Sequence, residues 1–403
     1  MGIYREIVKN PGVTRVVASQ LVARIPAGMT SLLLLLHFER VFNNYSSGGL
    51  ALAAVSIGQA TAGPILGRLT GKYGSRLVLI TSASCSAAAL LAIAFVPLPY
   101  AVMVILSLFL GLTLPPVHSV ARTLYSRLVP GTQLPGLYSL DATAQEVIWA
   151  VGPVIAVFIA QFINPAAGLL LCATTLLGGV TWLAFLPELK RLQIPRAKKR
   201  FGAVLKRPPA LLAVFISLAF IAGFAAMEVA IIAVFGNHSV ESGFVIGANA
   251  VGSFVGGLTF GHRPLTRWNI GIRISLMMLV MLLSLINISF WWLLLMMFIG
   301  GIGCAPALAA INSLVSATVR FSETAEAFGW IASGQLVGAA IGSALAGVAA
   351  DISGAPAAII TAAALFAIAI IIALAGNRWI PNLRGVDISP APDTATTDLP
   401  ILR

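Results

Sequence analysis

The sequence predicts an all-α integral membrane protein of twelve transmembrane helices in two pseudo-symmetric six-helix bundles. Three observations carry this expectation: the composition, the spacing of the apolar runs and the placement of the basic residues. Of 403 residues, 59% are hydrophobic and 9% charged, against roughly 25% charged in an ordinary soluble domain. That excludes a water-soluble enzyme. A membrane helix takes about 20 apolar residues, so there is room for roughly a dozen crossings and no extramembrane domain. The net charge of +12 sits in short gaps between apolar runs, which points to an anionic lipid surface as partner and away from nucleic acid.

Runs of crossing length occupy about 14–37, 49–69, 77–96, 101–123, 136–161 and 166–186, then 210–235, 242–260, 271–288, 290–313, 325–350 and 355–375. The stretch before the first run has mixed polarity and no cleavage-like small-residue site, so that run is expected to remain a permanent helix. Twelve crossings put both termini and alternate connections on one side. That side carries 23 of the 25 Lys and Arg residues, the other only Arg40, and Arg24 falls inside the first run. The positive-inside rule then predicts a multi-pass protein of the cytoplasmic (inner) membrane with both termini cytoplasmic.

The longest polar break, with eight basic residues between 188 and 207, divides the chain. The expected organisation is an N-terminal bundle over 1–186, a basic cytoplasmic linker over 187–208, a C-terminal bundle over 209–376, and a tail over 377–403. The tail is rich in Pro, Asp and Thr and is expected to be disordered. Cys85, Cys172 and Cys304 each lie inside an apolar run without metal-ligand spacing, so no disulfide framework, metal or other cofactor is expected. An offset of 190 residues superimposes Gly67 on Gly257, Gly71 on Gly261, Pro116 on Pro306, Gln145 on Gln335 and Gly152 on Gly342. Parallel repeats of this kind suggest a transporter with its site between the halves.

With its 6+6 layout, its basic central loop and the turn Gly67-Arg68-Leu69-Thr70-Gly71-Lys72-Tyr73-Gly74-Ser75-Arg76 after span two, the chain resembles the major facilitator superfamily across essentially all of its spans. Gly71 stands where that family usually has Asp, and Ser75 replaces one of its paired basic residues. Residues 257–263 are a weaker copy of the turn in the second half. The resemblance implies a gating and helix-packing role for Gly67, Arg68 and Gly71. In span five, Glu146-Val147-Ile148-Trp149-Ala150-Val151-Gly152-Pro153 is similar to the Gly-Pro core of the family's antiporter motif, and implies a like role for Gly152 and Pro153. The motif's other glycines are absent, and Ser107 stands where proton-coupled exporters often carry arginine. In the resembled fold, spans three, six, nine and twelve face lipid and the others enclose a central cavity.

An ionisable side chain at the bilayer centre costs about 2.5–3.5 kcal/mol on insertion scales, so each needs a partner or an aqueous cavity. Arg24 in span one, Asp141 and Glu146 in span five and Glu228 in span seven are the deep ones, and none falls in spans three, six, nine or twelve. Arg24, Glu146 and Glu228 are expected as the charged set of the cavity. Two readings stand for Arg24 with Glu146: a structural ion pair, or a site where a desolvated carboxyl binds a proton facing one side and releases it on the other. Asp141 reads as an interhelical partner for Arg122 beside that pathway, and Glu228 as an outer gate or a contact for a cationic substrate. Trp149 is a candidate for stacking on an aromatic substrate, His118 a helix-packing hydrogen bonder, and Trp291 and Trp292 interface anchors. Gly334, Gly338, Gly342 and Ala346 recur every four residues on span eleven, a stripe that admits a neighbouring helix closely. Gly301-Ile302-Gly303 lacks the strand context of a phosphate loop and is expected to bend a helix beside Pro306.

These features suggest a monomeric secondary transporter, not an enzyme, that moves a small molecule by alternating access. The favoured reading is proton-coupled efflux of an amphipathic compound through an apolar cavity with few charges. The alternative is an uptake permease, a symporter or uniporter, for a polar nutrient such as a sugar or organic ion. A sugar site would be expected to offer more amides and charges than Gln59, Asn249, Asn312 and Gln335 supply. An intramembrane enzyme would need a nucleophile with a base or a metal cluster, and no such grouping occurs in the sequence.

Overall fold

The computed structural model describes residues 2–192, 194–195, 200–235, 240–263, 265–383 and 389–390. A short amphipathic helix, α1 (Gly2–Lys9), buries Ile7 and leaves Arg5 and Glu6 exposed. Span one follows in two pieces, α2 (Val13–Arg24) and α3 (Thr30–Phe42), separated by a 3-10 turn over Ile25–Gly28. Pro26 lies in that turn, where its missing N–H and fixed φ break the α-helical ladder. Spans two and three are α4 (Tyr45–Tyr73) and α5 (Ser75–Phe95), joined at Gly74 with φ 86°. Span four is again broken, into α6 (Tyr100–Thr113) and α7 (Val117–Leu128), at Pro115 and Pro116. Spans five and six are α8 (Leu134–Phe162) and α9 (Pro165–Phe185).

The central break holds one short helix, α10 (Pro187–Arg191), and a 3-10 turn, Ala203–Lys206; residues 193 and 196–199 of the expected linker lie outside the described residues. The second half runs through α11 (Pro208–Phe235), α12 (Val240–Phe260) and α13 (Asn269–Ser284). Span ten is broken into α14 (Phe290–Gly301) and α15 (Cys304–Thr318), with the bend at Ile302 and Gly303 as expected. The last helix, α16 (Thr324–Ala375), has 52 residues. Straight, it would run about 78 Å, more than twice the roughly 30 Å hydrocarbon core. Gly354, at φ 75° and followed by Pro356, turns it, so α16 supplies spans eleven and twelve.

Among the described residues ten segments are long and apolar enough to cross a bilayer. One of them is the doubled α16, and the shorter α13 completes twelve spans. Both termini therefore lie on one side, here called the terminal face. The tail does not become irregular at Asn377 as expected: Asn377–Trp379 form a 3-10 turn, and the Leu383 N–H donates to Leu265 O at 2.9 Å. Residues 384–388 and 391–403 of the tail lie outside the described residues.

The small-residue stripe on α16 packs against α11. A Cβ on Gly338 would run into the Leu218 backbone and one on Gly342 into that of Ala222, while Gly223 of α11 faces the Phe366 ring. Without a hydrophobic drive between helices in lipid, such close backbone approach supplies much of the packing energy. Gly342→Val should lower thermal stability in detergent by about 1–3 kcal/mol through overpacking. Gly347→Val, where an added Cβ meets nothing within 4 Å, should leave the melting temperature near wild type; the comparison cancels the shared loss of helix propensity.

Candidate functional site

Two charged groups lie deep in the molecule. The first is centred on Asp141, one turn or two into α8 and 1% exposed. Arg24, the last residue of α2, donates from Nη1 to Asp141 Oδ1 at 2.7 Å and to Gln20 Oε1 at 2.7 Å. Gln20 Nε2 and the Tyr125 hydroxyl both donate to the same carboxylate oxygen, at 3.0 and 3.1 Å. Arg122 of α7 reaches Asp141 Oδ2 through Nε at 3.4 Å. One carboxylate thus ties together α2, α7 and α8. The expected Asp141–Arg122 contact is present, but Arg24 pairs with Asp141 and not with Glu146. The Arg122 guanidinium also lies over the Phe328 ring of α16 at 5.8 Å, a contact between the halves.

Glu146, five residues further along α8, turns the other way. Its Oε1 accepts a weak hydrogen bond from Cys304 Sγ at 3.8 Å, and Ser253 of α12 is within hydrogen-bond reach of the carboxyl. Cys304 is the first residue of α15, so the carboxylate stands at a helix N-terminus inside the membrane, where the helix dipole favours negative charge. The Ala305 N–H of that first turn donates to Ser253 Oγ at 3.2 Å. Glu228 of α11 is close enough for the two carboxyls to repel. Glu146 therefore reaches out of its own half to two helices of the other, α12 and α15.

A cavity of about 580 Å³ opens beside it, between α8 and α12. Glu146, Val147 and Val151 form one wall; Phe244, Val251 and Phe254 form the other, and Glu146 is the one ionisable residue in the lining. Trp149 is half exposed but does not line this cavity, because it lies about 200° around the helix from Val147 at 100° per residue.

The cavity lies toward the face away from the termini, because contacts between the halves gather at the terminal face. There Ser139 Oγ and the Tyr4 hydroxyl both donate to Gly257 O, at 2.8 and 2.6 Å. On the pseudo-symmetric side, Gly63 and Gly67 of α4 meet the backbone of Gly329 and Ala325 on α16. Arg68 Nη1 pairs with Glu326 Oε2 at 3.0 Å. The linker covers this pair: the Gly202 N–H donates to Glu326 Oε1 at 2.8 Å, and the Phe201 ring lies 5.6 Å from Trp330. Arg207 pairs with Glu323 at 2.8 Å. Gly71 lies in the last turn of α4, two residues before Tyr73, and is half-buried, Gly152 of α8 packs on Gly28 of the span-one turn, and Pro153 follows it within α8.

Sequence reading did not single out Gln20, Tyr125, Glu326 or Gly202. Glu326 in the first turn of α16 looks like an ordinary helix-start acid; the signal that could have found it is Arg68, a base in an apolar helix that needs a partner.

The Major Facilitator Superfamily profile matches residues 16–290 and 266–396. No curated protein matches the chain by sequence. Among solved structures, the human organic anion transporter MFSD10 is similar with a TM-score of 0.69 at 16% identity, over 90% of this chain and 100% of that one. A bacterial homologue of the iron transporter ferroportin, in an outward-facing state, gives 0.70 at 13% over 91% and 99%. The E. coli fucose:proton symporter FucP gives 0.66 at 16% over 90% and 98%. At these identities the likeness is one of fold.

Removing one partner of a buried pair leaves the other charge uncompensated, at a cost of about 3–5 kcal/mol. Arg24→Ala should lose that much stability or fail to fold, whereas Arg40→Ala, on the exposed end of α3, should stay within about 0.5 kcal/mol of wild type. Thermal unfolding of the two purified variants checks the difference.

Proposed function

Because the chain belongs to the major facilitator superfamily and is by that a membrane transporter, we propose that it exports an amphipathic small molecule in exchange for protons, by rocking residues 1–186 against 209–376. The observation that carries the reading is Glu146, a carboxyl in the wall of an apolar cavity that also holds a contact between the halves. The distribution of basic residues supports a cytoplasmic terminal face in the cytoplasmic membrane. The described conformation is then closed to the cytoplasm.

In this scheme Glu146 takes a proton from the outer side while the cavity faces outward. The neutral acid no longer draws on the N-terminus of α15, and the repulsion with Glu228 is relieved. Both changes favour reorganisation of the contacts between α8 and the second half. Once the terminal face opens, an amphipathic compound enters from the cytoplasmic side, its apolar part against the valine and phenylalanine walls. The proton leaves Glu146 to the cytoplasm, and the loaded transporter returns outward. A conformational step of this kind couples two ligands only if each binds the two states differently; Glu146 meets that condition, since its partners lie across the interface. Arg24 and Asp141 act in the pathway by holding α8 in place against α2 and α7, and Arg68 with Glu326 acts in the inner gate.

In inverted membrane vesicles with an acidic interior, added substrate should collapse the proton gradient with wild-type protein. Glu146→Gln should abolish the collapse while inserting and unfolding as wild type does. Normal gradient-driven rates in the variant would remove Glu146 from the coupling.

A further inference from the structure

The Asp141 group is unbalanced. Arg24 and Arg122 bring two guanidinium charges to one carboxylate, and that carboxylate already accepts from Arg24, Gln20, Tyr125 and Arg122. Arg24 is 4% exposed, yet its Nη2 is buried and has no acceptor among the described residues. A charged donor left unsatisfied in such a place is costly and is usually matched by a bound group. Glu146 does not neutralise it, because that carboxyl is engaged at Cys304 in the other half.

A second feature of the same region draws negative charge independently. Span four is interrupted inside the membrane, so α7 begins at Val117 with its positive end at mid-depth. Its first helical bond is from Val120 N to Pro116 O at 3.0 Å, which leaves the His118 and Ser119 N–H groups without an intrahelical acceptor. His118, in that first turn, lies within the fields of Arg24 and Arg122 as well as that of Asp141. Partly satisfied helix N-termini of this kind are anion sites in soluble proteins and in the broken helices of transporters.

We propose that the N-terminal half holds a compact monoanion between Arg24 Nη2, His118 and the start of α7. A single charge fits, since one positive charge is in excess; the chemistry is that of a carboxylate or a halide-sized inorganic anion. The group is either the carboxylate of the transported compound or a free anion that stays with the protein. The site goes beyond the proton-coupled reading and does not depend on it, because none of its residues contacts Glu146.

The test is thermal unfolding of the purified full chain in detergent at constant ionic strength. Sodium HEPES, a bulky anion whose sulfonate is carried on an ethyl arm of a piperazine ring, is replaced stepwise by sodium chloride, formate, acetate or benzoate. Wild type should show a saturable rise in Tm with one or more of the compact anions, retained in Glu146→Gln and lost in Arg24→Gln. Asp141→Asn, where it folds, removes the carboxylate that repels the anion and should lower the half-saturating concentration by about tenfold, the order expected for one charge at close range. If neither Arg24→Gln nor Asp141→Asn folds, His118→Ala, which breaks none of the ion pairs of the group, decides: it should raise the half-saturating concentration, and an unchanged value overturns the site. Saturation by chloride identifies a free inorganic anion, and saturation by the carboxylates alone identifies a group on the substrate. A Tm that follows no anion, an equal rise in Arg24→Gln, or an unchanged half-saturation in Asp141→Asn overturns the site.

Discussion

The structure depends on two close approaches at glycine, where no further side chain has room. Gly67 lies against the backbone of Ala325, and Gly257 lies against the hydroxyl side chains of Ser139 and Thr143. The two glycines are the same position of the 190-residue repeat, and each brings a helix of one half onto a helix of the other at the terminal face. Where α4 meets α16 and α8 meets α12 this closely, the same helices diverge toward the opposite face, and the cavity beside Glu146 is the space that results. In the proposed cycle the halves move as bodies, because packed helices are stiff, and opening one face closes the other. Small residues at these points let the backbones approach and let them part with little interdigitation to undo.

Charge is placed to match this mechanics. The Asp141 group joins α2, α7 and α8 within one half, and in the proposed cycle would hold that half together as it moves. Arg68 with Glu326, and Glu146 with Cys304, lie across the interface and are the contacts that the proposed rocking would have to change. The linker takes part in the first of these through Gly202 and Phe201, although its composition reads as a solvated basic loop. The absence of an acid at Gly71 is answered by an acid on the other partner: here the base is on α4 and the carboxylate on α16.

The twelve spans and their alternation were legible in the sequence because hydropathy and basic loops are local properties of a chain in a bilayer. The bend at Gly303 was read from the sequence; the breaks at Pro26 and at Pro115 and Pro116 were not, although their cause is just as local, since proline acts on the backbone where it stands. Partnerships were not. Asp141 and Glu146 are five residues apart, so about 140° separates them around α8, and the spacing alone does not tell which of them meets α2. The expected partner of Arg24 was the deeper acid; the acid it meets is the one nearer the terminal face. Trp149 was singled out by its aromatic ring, but its azimuth carries it off the cavity wall. Glu326 passed unnoticed because its role exists only across 258 residues of chain.

The account turns on one claim, that the two faces open in alternation about these contacts. Distances between spin labels on α4 and on α16 or the turn just before it test it most directly, in a background where Cys85 and Cys172 are replaced by Ala and Cys304 by Ser, which keeps a donor for Glu146. One pair, at Lys72 and Ser322, reports the terminal face; the other, at Gly49 and Val348, reports the opposite face. Across a range of pH, and with or without substrate, the account requires the first distance to lengthen as the second shortens. Two distances that stay fixed, or that lengthen together, would contradict it.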